Sequence, residues 1–358
     1  VRYDIAKEPF LTLIRLGLGH YAQLSQETLD WNALQNLATQ QSLSAVLLDG
    51  IEKLPDSKRP PKELILQWIG EVLQGYEQRY ELYRRAIANL AAFYNAKGVK
   101  MMILKGLACG MDWAKPEHRP YGDIDIWQFG EQKEADALII KEKGIKVDTS
   151  HHHHTVFYWQ DFMVENHYDF INVHHHKSSK EIEQILKDLG KDDSHSINVN
   201  GETIFLPSPN LHALFLLRHA SSHFAAEGIT LRQIIDWGFF VQANHEKVDW
   251  EWLENILEQY GMMEFYNIIN AICVDDLGFN ASFFTRVQFN RSLKNKVVNE
   301  ILYPEYGVEY PKELFKRLVF KIRRWKGSAW KHRLCYKDSL WSALWRGVWA
   351  HLLKPSSI

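Results

Sequence analysis

Two aspartates, Asp123 and Asp125, stand two apart in the run Asp123-Ile124-Asp125-Ile126-Trp127, where polar and apolar residues alternate. That alternation is the period of a half-buried strand, and residues two apart on a strand project from one face. Carboxylates held side by side repel each other unless a cation or a proton is shared between them. A divalent ion such as Mg²⁺ prefers hard oxygen ligands and commonly takes one or two carboxylates plus substrate phosphates. The chemistry suited to such a pair is phosphoryl or nucleotidyl transfer, where the ion offsets charge on a polyphosphate and its leaving group. Solvated or capping carboxylates also produce an isolated Asp-x-Asp, so its neighbours have to decide.

Upstream, Leu104-Lys105-Gly106 ends the apolar run that begins at Met101, at a predicted strand-to-helix junction. Backbone N–H groups at a helix start favour anions, glycine permits close approach, and Lys105 adds positive charge. The plain alternatives are an exposed lysine at a strand end and a simple turn glycine. Arg119, just before the aspartates, suits either a phosphate or an ion pair with Asp123.

The combination of Leu104-Lys105-Gly106 with Arg119-Pro120-Tyr121-Gly122-Asp123-Ile124-Asp125-Ile126 resembles the uncharacterised nucleotidyltransferase family of the polymerase-beta-like superfamily. That family reads L-K-G, a spacer, then R-P-x-G-D-I-D followed by apolar residues. It also carries E-x-H on a later strand after a hairpin, which Val164-Glu165-Asn166-His167-Tyr168 fits. Spaced histidines on a helix and an L-R-x-x-x-D pattern come next, matched by His219, His223 and the run from Leu231 and Arg232 to Asp236. The resemblance spans residues 30–245.

It implies an α+β fold: a polymerase-beta-like core of short mixed sheet and helices, flanked by helical regions. Asp123, Asp125 and Glu165 become the catalytic carboxylates and the ligands of Mg²⁺ or Mn²⁺. Lys105, Gly106, Arg119 and Gly122 become nucleotide-binding residues. His167, His219, His223 and Arg232 would contact the acceptor or support the ligands. The implied reaction moves a nucleoside monophosphate from an NTP, ATP foremost, onto a hydroxyl of a small molecule, sugar or protein. The alternative is a module that senses nucleotide or binds a partner without turnover. A third option is a nucleic-acid enzyme that adds terminal nucleotides. Many members of the wider superfamily carry Gly-Ser at the phosphate-binding turn, where this chain has Lys105-Gly106. How the triphosphate is held, and which base is selected, therefore stay open.

The surrounding pattern divides the chain into a helical region (1–98), an α/β core (99–206) and a second helical region (207–358). Apolar spacing predicts helices over 31–41, with Asp30 as N-cap, and over 63–97, either as one helix or as two in line. Strands are predicted near 101–104 and 123–127, with a helix over 106–113 between them and another over 131–143. A hairpin at 155–159 and 163–168 turns through Gln160-Asp161. A helix over 180–189, strands at 196–199 and 202–206, and helices over 208–224, 231–242 and 249–260 complete the reading.

Bulk properties are those of a globular protein: 46% hydrophobic and 24% charged residues, with a net charge of -2. That charge argues against whole-surface attraction to nucleic acid. Three scattered cysteines suggest neither a disulfide framework nor a zinc ribbon, and a reducing cytoplasmic location is expected. The first ten residues lack the apolar segment of a signal peptide, and no stretch is long and apolar enough to span a membrane.

Other groups invite function less strongly. Histidine runs occupy 151–154 and 174–176, but consecutive strand residues point to opposite faces, so a run on a strand would not converge on a metal. These histidines are expected to line an acceptor pocket or the surface. His167 would contact the acceptor or orient Glu165. His219 and His223 share a helix face, either at a domain interface or against substrate. Arg232 and Asp236 have the spacing of a helix ion pair, although Arg232 also suits a phosphate. The basic, Trp-rich segment 316–354 reads as a helix docked by its tryptophans, an anionic-membrane contact or a nucleic-acid contact.

Overall fold

The computed structural model describes residues 2–25, 28–174, 176–285, 288–306, 313–343 and 345–346. Its sheet has six strands: β1 (Met102–Ile103), β2 (Ile124–Trp127), β3 (His154–Trp159), β4 (Phe162–His167), β5 (Ser196–Val199) and β6 (Glu202–Phe205). Their order across the sheet is β3-β4-β2-β1-β6-β5. β2 runs parallel to β4 and antiparallel to β1, which in turn runs parallel to β6. The sheet is therefore mixed, and with its helices it is compatible with a nucleotidyltransferase fold.

The β3–β4 hairpin turns through Gln160 and Asp161. Gln160 adopts φ +53°, the left-handed geometry that lets a two-residue loop follow the twist of its strands. One face of the sheet carries Ile103, Ile124, Ile126, Phe157 and Val164. It shares a buried core with Ile87, Leu90 and Tyr94 of helix Gln78–Asn95. Alternation then sends Asp125, Glu165 and His167 to the opposite face.

The alternating Asp-Ile-Asp-Ile run suggests a half-buried strand, yet all four residues of β2 are buried. Trp127 is covered by stacking on Phe170 at 4.2 Å, and Asp125 by its partners in the site. Asp123 lies one residue before the strand. The helix expected over 106–113 is a single turn, Leu107–Gly110. The long helix expected over 63–97 is present, interrupted by a π turn at Leu73–Glu77. Gly98 at φ +74° ends it.

Two compact units emerge. One comprises residues 75–218, 246–249 and 338–358 and holds the sheet. It takes in helix Gln78–Asn95, which the sequence reading grouped with the N-terminal helices. The other comprises 1–74, 219–245 and 250–337 and is helical where described. Within it, helices Arg2–Gly17 and Ser44–Glu52 cross at two glycines. A Cβ on Gly50 would lie 2.0 Å from the Leu13 carbonyl oxygen, and one on Gly17 would lie 2.0 Å from that of Val46.

No helix of the described residues is long and apolar enough to cross a membrane. The last part of the basic tail, including Trp349, lies outside the described residues. Trp341 and Trp345, which a docked stripe would bury, are each 63% exposed.

Candidate active site

Parallel pairing of β2 with β4 sets Asp125 opposite Glu165. Both side chains leave the sheet on the same face, together with His167 two residues farther along β4. Ligand atoms from Asp125, Glu165 and His167 lie within 4.8 Å of one another. His167 Nε2 is 3.1 Å from Asp125 Oδ1 and 3.5 Å from Glu165 Oε2. Lys105 Nζ approaches Asp125 Oδ1 at 2.7 Å. Lys105 is therefore not the exposed strand-end lysine of the plain alternative, because its ammonium is mostly buried against the carboxylate.

These contacts fix the charges. Burial alone would lower the pKa of His167, but its hydrogen bonds to Asp125 and Glu165 prevail and push it up to about 9. Burial works against the charged form of Asp125 too, yet Lys105 and His167 hold its pKa well below the usual carboxylate range. Glu165 is likewise lowered: its burial is outweighed by the hydrogen bond with His167. Asp123 is raised, first by repulsion from Asp125 and then by burial. It senses the pair without joining the compact ligand group.

Gly106 adopts φ +55°, and a Cβ there would lie 2.0 Å from the Tyr83 hydroxyl. That hydroxyl donates to the Asp123 carbonyl oxygen at 3.0 Å, so Gly106 lets Tyr83 anchor the aspartate loop. Sequence reasoning missed Tyr83, which reads there as one more apolar position of a long helix. Arg119 is buried, donates to the Pro120 carbonyl oxygen at 3.1 Å and lies over the Tyr121 ring. Gly122 is exposed, with open space where a side chain would be.

The first histidine run departs from expectation. Residues 151–153 form a bend, and only His154 belongs to β3, where it pairs with His167. The strand argument against convergence therefore does not apply. One ligand atom each from His153, His154 and His167 lies within 4.8 Å of the others. Burial lowers His153 to about 2, helped by repulsion from His167, and lowers His154 to about 4 against the attraction of Glu165. In the second run, His174 packs on His152 at 4.7 Å, and His175 lies outside the described residues.

His219, His223 and Arg232 belong to the other unit. There the rings of His219 and His223 lie 4.3 Å apart, His223 is 3.7 Å from Glu227, and Arg232 pairs with Asp236 at 3.7 Å. A cleft of about 700 Å³ beside Lys97, Glu134 and Lys141 is lined by none of the candidate residues.

Residues 27–275 match the family model described as uncharacterised nucleotidyltransferase. The chain belongs to this family. No curated protein and no solved structure matches it. The match covers Lys105, both aspartates and the Glu165–His167 pair, and it reaches into both units. The general chemistry of this family member is nucleotidyl transfer.

Proposed function

We propose that this nucleotidyltransferase moves a nucleoside monophosphate from an NTP, ATP foremost, onto an acceptor hydroxyl, using Mg²⁺ or Mn²⁺. The observation that carries the reading is the in-register pair Asp125 and Glu165, converging with His167 on one sheet face. The two carboxylates, Asp125 buried and Glu165 partly so, suit a hard divalent ion, with Asp123 completing the set from the adjoining loop and His167 orienting both through its ring nitrogen. When bound, the ion would offset charge on the triphosphate and the departing pyrophosphate.

The chain's own groups would do the rest. The acceptor oxygen attacks the α-phosphorus, the bond from that phosphorus to the bridging oxygen breaks, and pyrophosphate leaves. Glu165, kept ionised by His167, takes the hydroxyl proton. Lys105 holds Asp125 in place and supplies positive charge toward phosphate.

A second reading, nucleotide sensing without turnover, draws on Lys105 and His167. Together they already neutralise Asp125. Incubation with α-labelled NTPs, Mg²⁺ and a cell extract as acceptor source separates the two. Under the first reading, label moves to an acceptor and the transfer is lost in Asp125→Asn. Tight nucleotide binding with no transfer in any extract would favour sensing.

A further inference from the structure

We propose that His153, His154 and His167 form a transition-metal site, with Zn²⁺ as its ion, distinct from the carboxylate site and touching it only through His167. Three imidazoles with ligand atoms within 4.8 Å of one another are a donor set that Mg²⁺ avoids and that Zn²⁺, Co²⁺ and Ni²⁺ favour. Three features of the fold assemble it. The two-residue turn at 160–161 puts His154 directly across from His167 on the antiparallel hairpin. The bend at 151–153 folds His153 back over them. The His153 carbonyl oxygen then accepts from the backbone N–H groups of Tyr168 and Asp169, both at 3.1 Å, which ties the bend to the end of β4.

A second, independent observation points to a ligand. The buried Nδ1 atoms of His153 and His154 have no hydrogen-bond partner among the described residues, and His154 is 7% exposed. A buried imidazole nitrogen left without a partner costs stability, whereas a metal–nitrogen bond satisfies it. In a tetrahedral site with Zn–N bonds of about 2.0–2.1 Å, the nitrogens sit roughly 3.3 Å apart. Small side-chain rotations would close the triad that far. A ligand set of three histidines that leaves a fourth position for a carboxylate or water belongs to the open type of zinc site.

The test strips the full chain with chelator and titrates it with Co²⁺ in the presence of excess Mg²⁺, reading the visible ligand-field bands. One Co²⁺ per chain is expected, displaced by Zn²⁺. His153→Gln and His154→Gln should each weaken binding by at least the roughly 10–100-fold that loss of even an outer partner costs a metal site. His195→Gln, at an exposed histidine, should change nothing. Unchanged Co²⁺ affinity in both triad variants, or no Co²⁺ binding by the parent, would overturn the proposal. Should either variant fail to fold, X-ray absorption on the Zn²⁺-loaded parent reads the ligands directly, and a first shell without imidazoles is equally fatal. Asp125→Asn separates this site from nucleotidyl transfer. It should abolish transfer and retain the Co²⁺ bands, so either idea can fail alone.

Discussion

Asp125 is met by two cations of its own chain, and that determines what happens when a divalent ion arrives. Lys105 can only swing away, whereas His167 can also leave by losing its proton. With a pKa pushed up to about 9, His167 is charged near neutral pH, and the carboxylates responsible are the proposed ligands. Mg²⁺ binding near neutral pH is therefore expected to release up to one proton, and its affinity should rise with pH until about 9. Calorimetry in buffers of different ionisation enthalpy measures the release, and His167→Gln should abolish it. A parent that binds Mg²⁺ without releasing protons would count against the ligand set. Lys105→Met tests the other cation. Removing one partner of a buried ion pair typically costs about 3–5 kcal/mol, so the variant should unfold at lower denaturant than the parent. Mg²⁺ should restore more stability to it than to the parent, because the ion replaces the missing charge.

Elements fix these residues through contacts of differing legibility. The hairpin was readable: a two-residue turn at Gln160-Asp161 sets the antiparallel register, and counting outward from it brings His154 opposite His167. That step was available from sequence, and treating 151–154 as one straight strand concealed it. The pairing of Asp125 with Glu165 was not available in the same way, because a parallel pair has no tight turn to set its register. The family motif supplied Glu165 instead. At Gly106 the motif suggested close approach of a phosphate, and the structure adds a second reason for glycine: a side chain there would meet Tyr83 from a helix more than twenty residues upstream, a contact no local pattern encodes. The Gly17–Gly50 crossing was equally silent. Alanine at Gly50 would force a methyl group to 2.0 Å from the Leu13 carbonyl oxygen, so the two helices would have to separate. Gly50→Ala should cost about 1–3 kcal/mol in urea unfolding, as overpacking typically does. No loss would mean the helices part freely.

At the scale of the whole molecule, the buried ionisable groups set a stability optimum in pH. In the metal-free chain, His167 binds a proton up to about 9, against 6.5 for an ordinary histidine, so its contribution is full below 6.5 and lost as pH rises through 9. His153 and His154 act in the opposite sense. Held near 2 and 4, they stay neutral in the fold while the unfolded chain takes up protons below 6.5, so stability falls as pH falls. His20, also lowered by burial, adds to that acid limb. Glu183 opposes it. Buried while accepting from the Phe170 and Ile171 backbone N–H groups, it is raised to about 7 from 4.5, so the folded state holds an extra proton between those values. Each unmatched proton changes stability by about 1.4 kcal/mol per pH unit. Between pH 4.5 and 6.5 the two cluster histidines outweigh Glu183, and above 6.5 His167 tilts the curve the other way. Thermal unfolding with chelator present should therefore show a maximum near pH 6.5–7, falling on both sides. Glu183→Gln should steepen the acid limb by removing the opposing group, and His154→Gln should flatten it. A curve with no maximum, or variants that shift the limbs in the reverse sense, would show that these side chains do not carry the charges assigned to them.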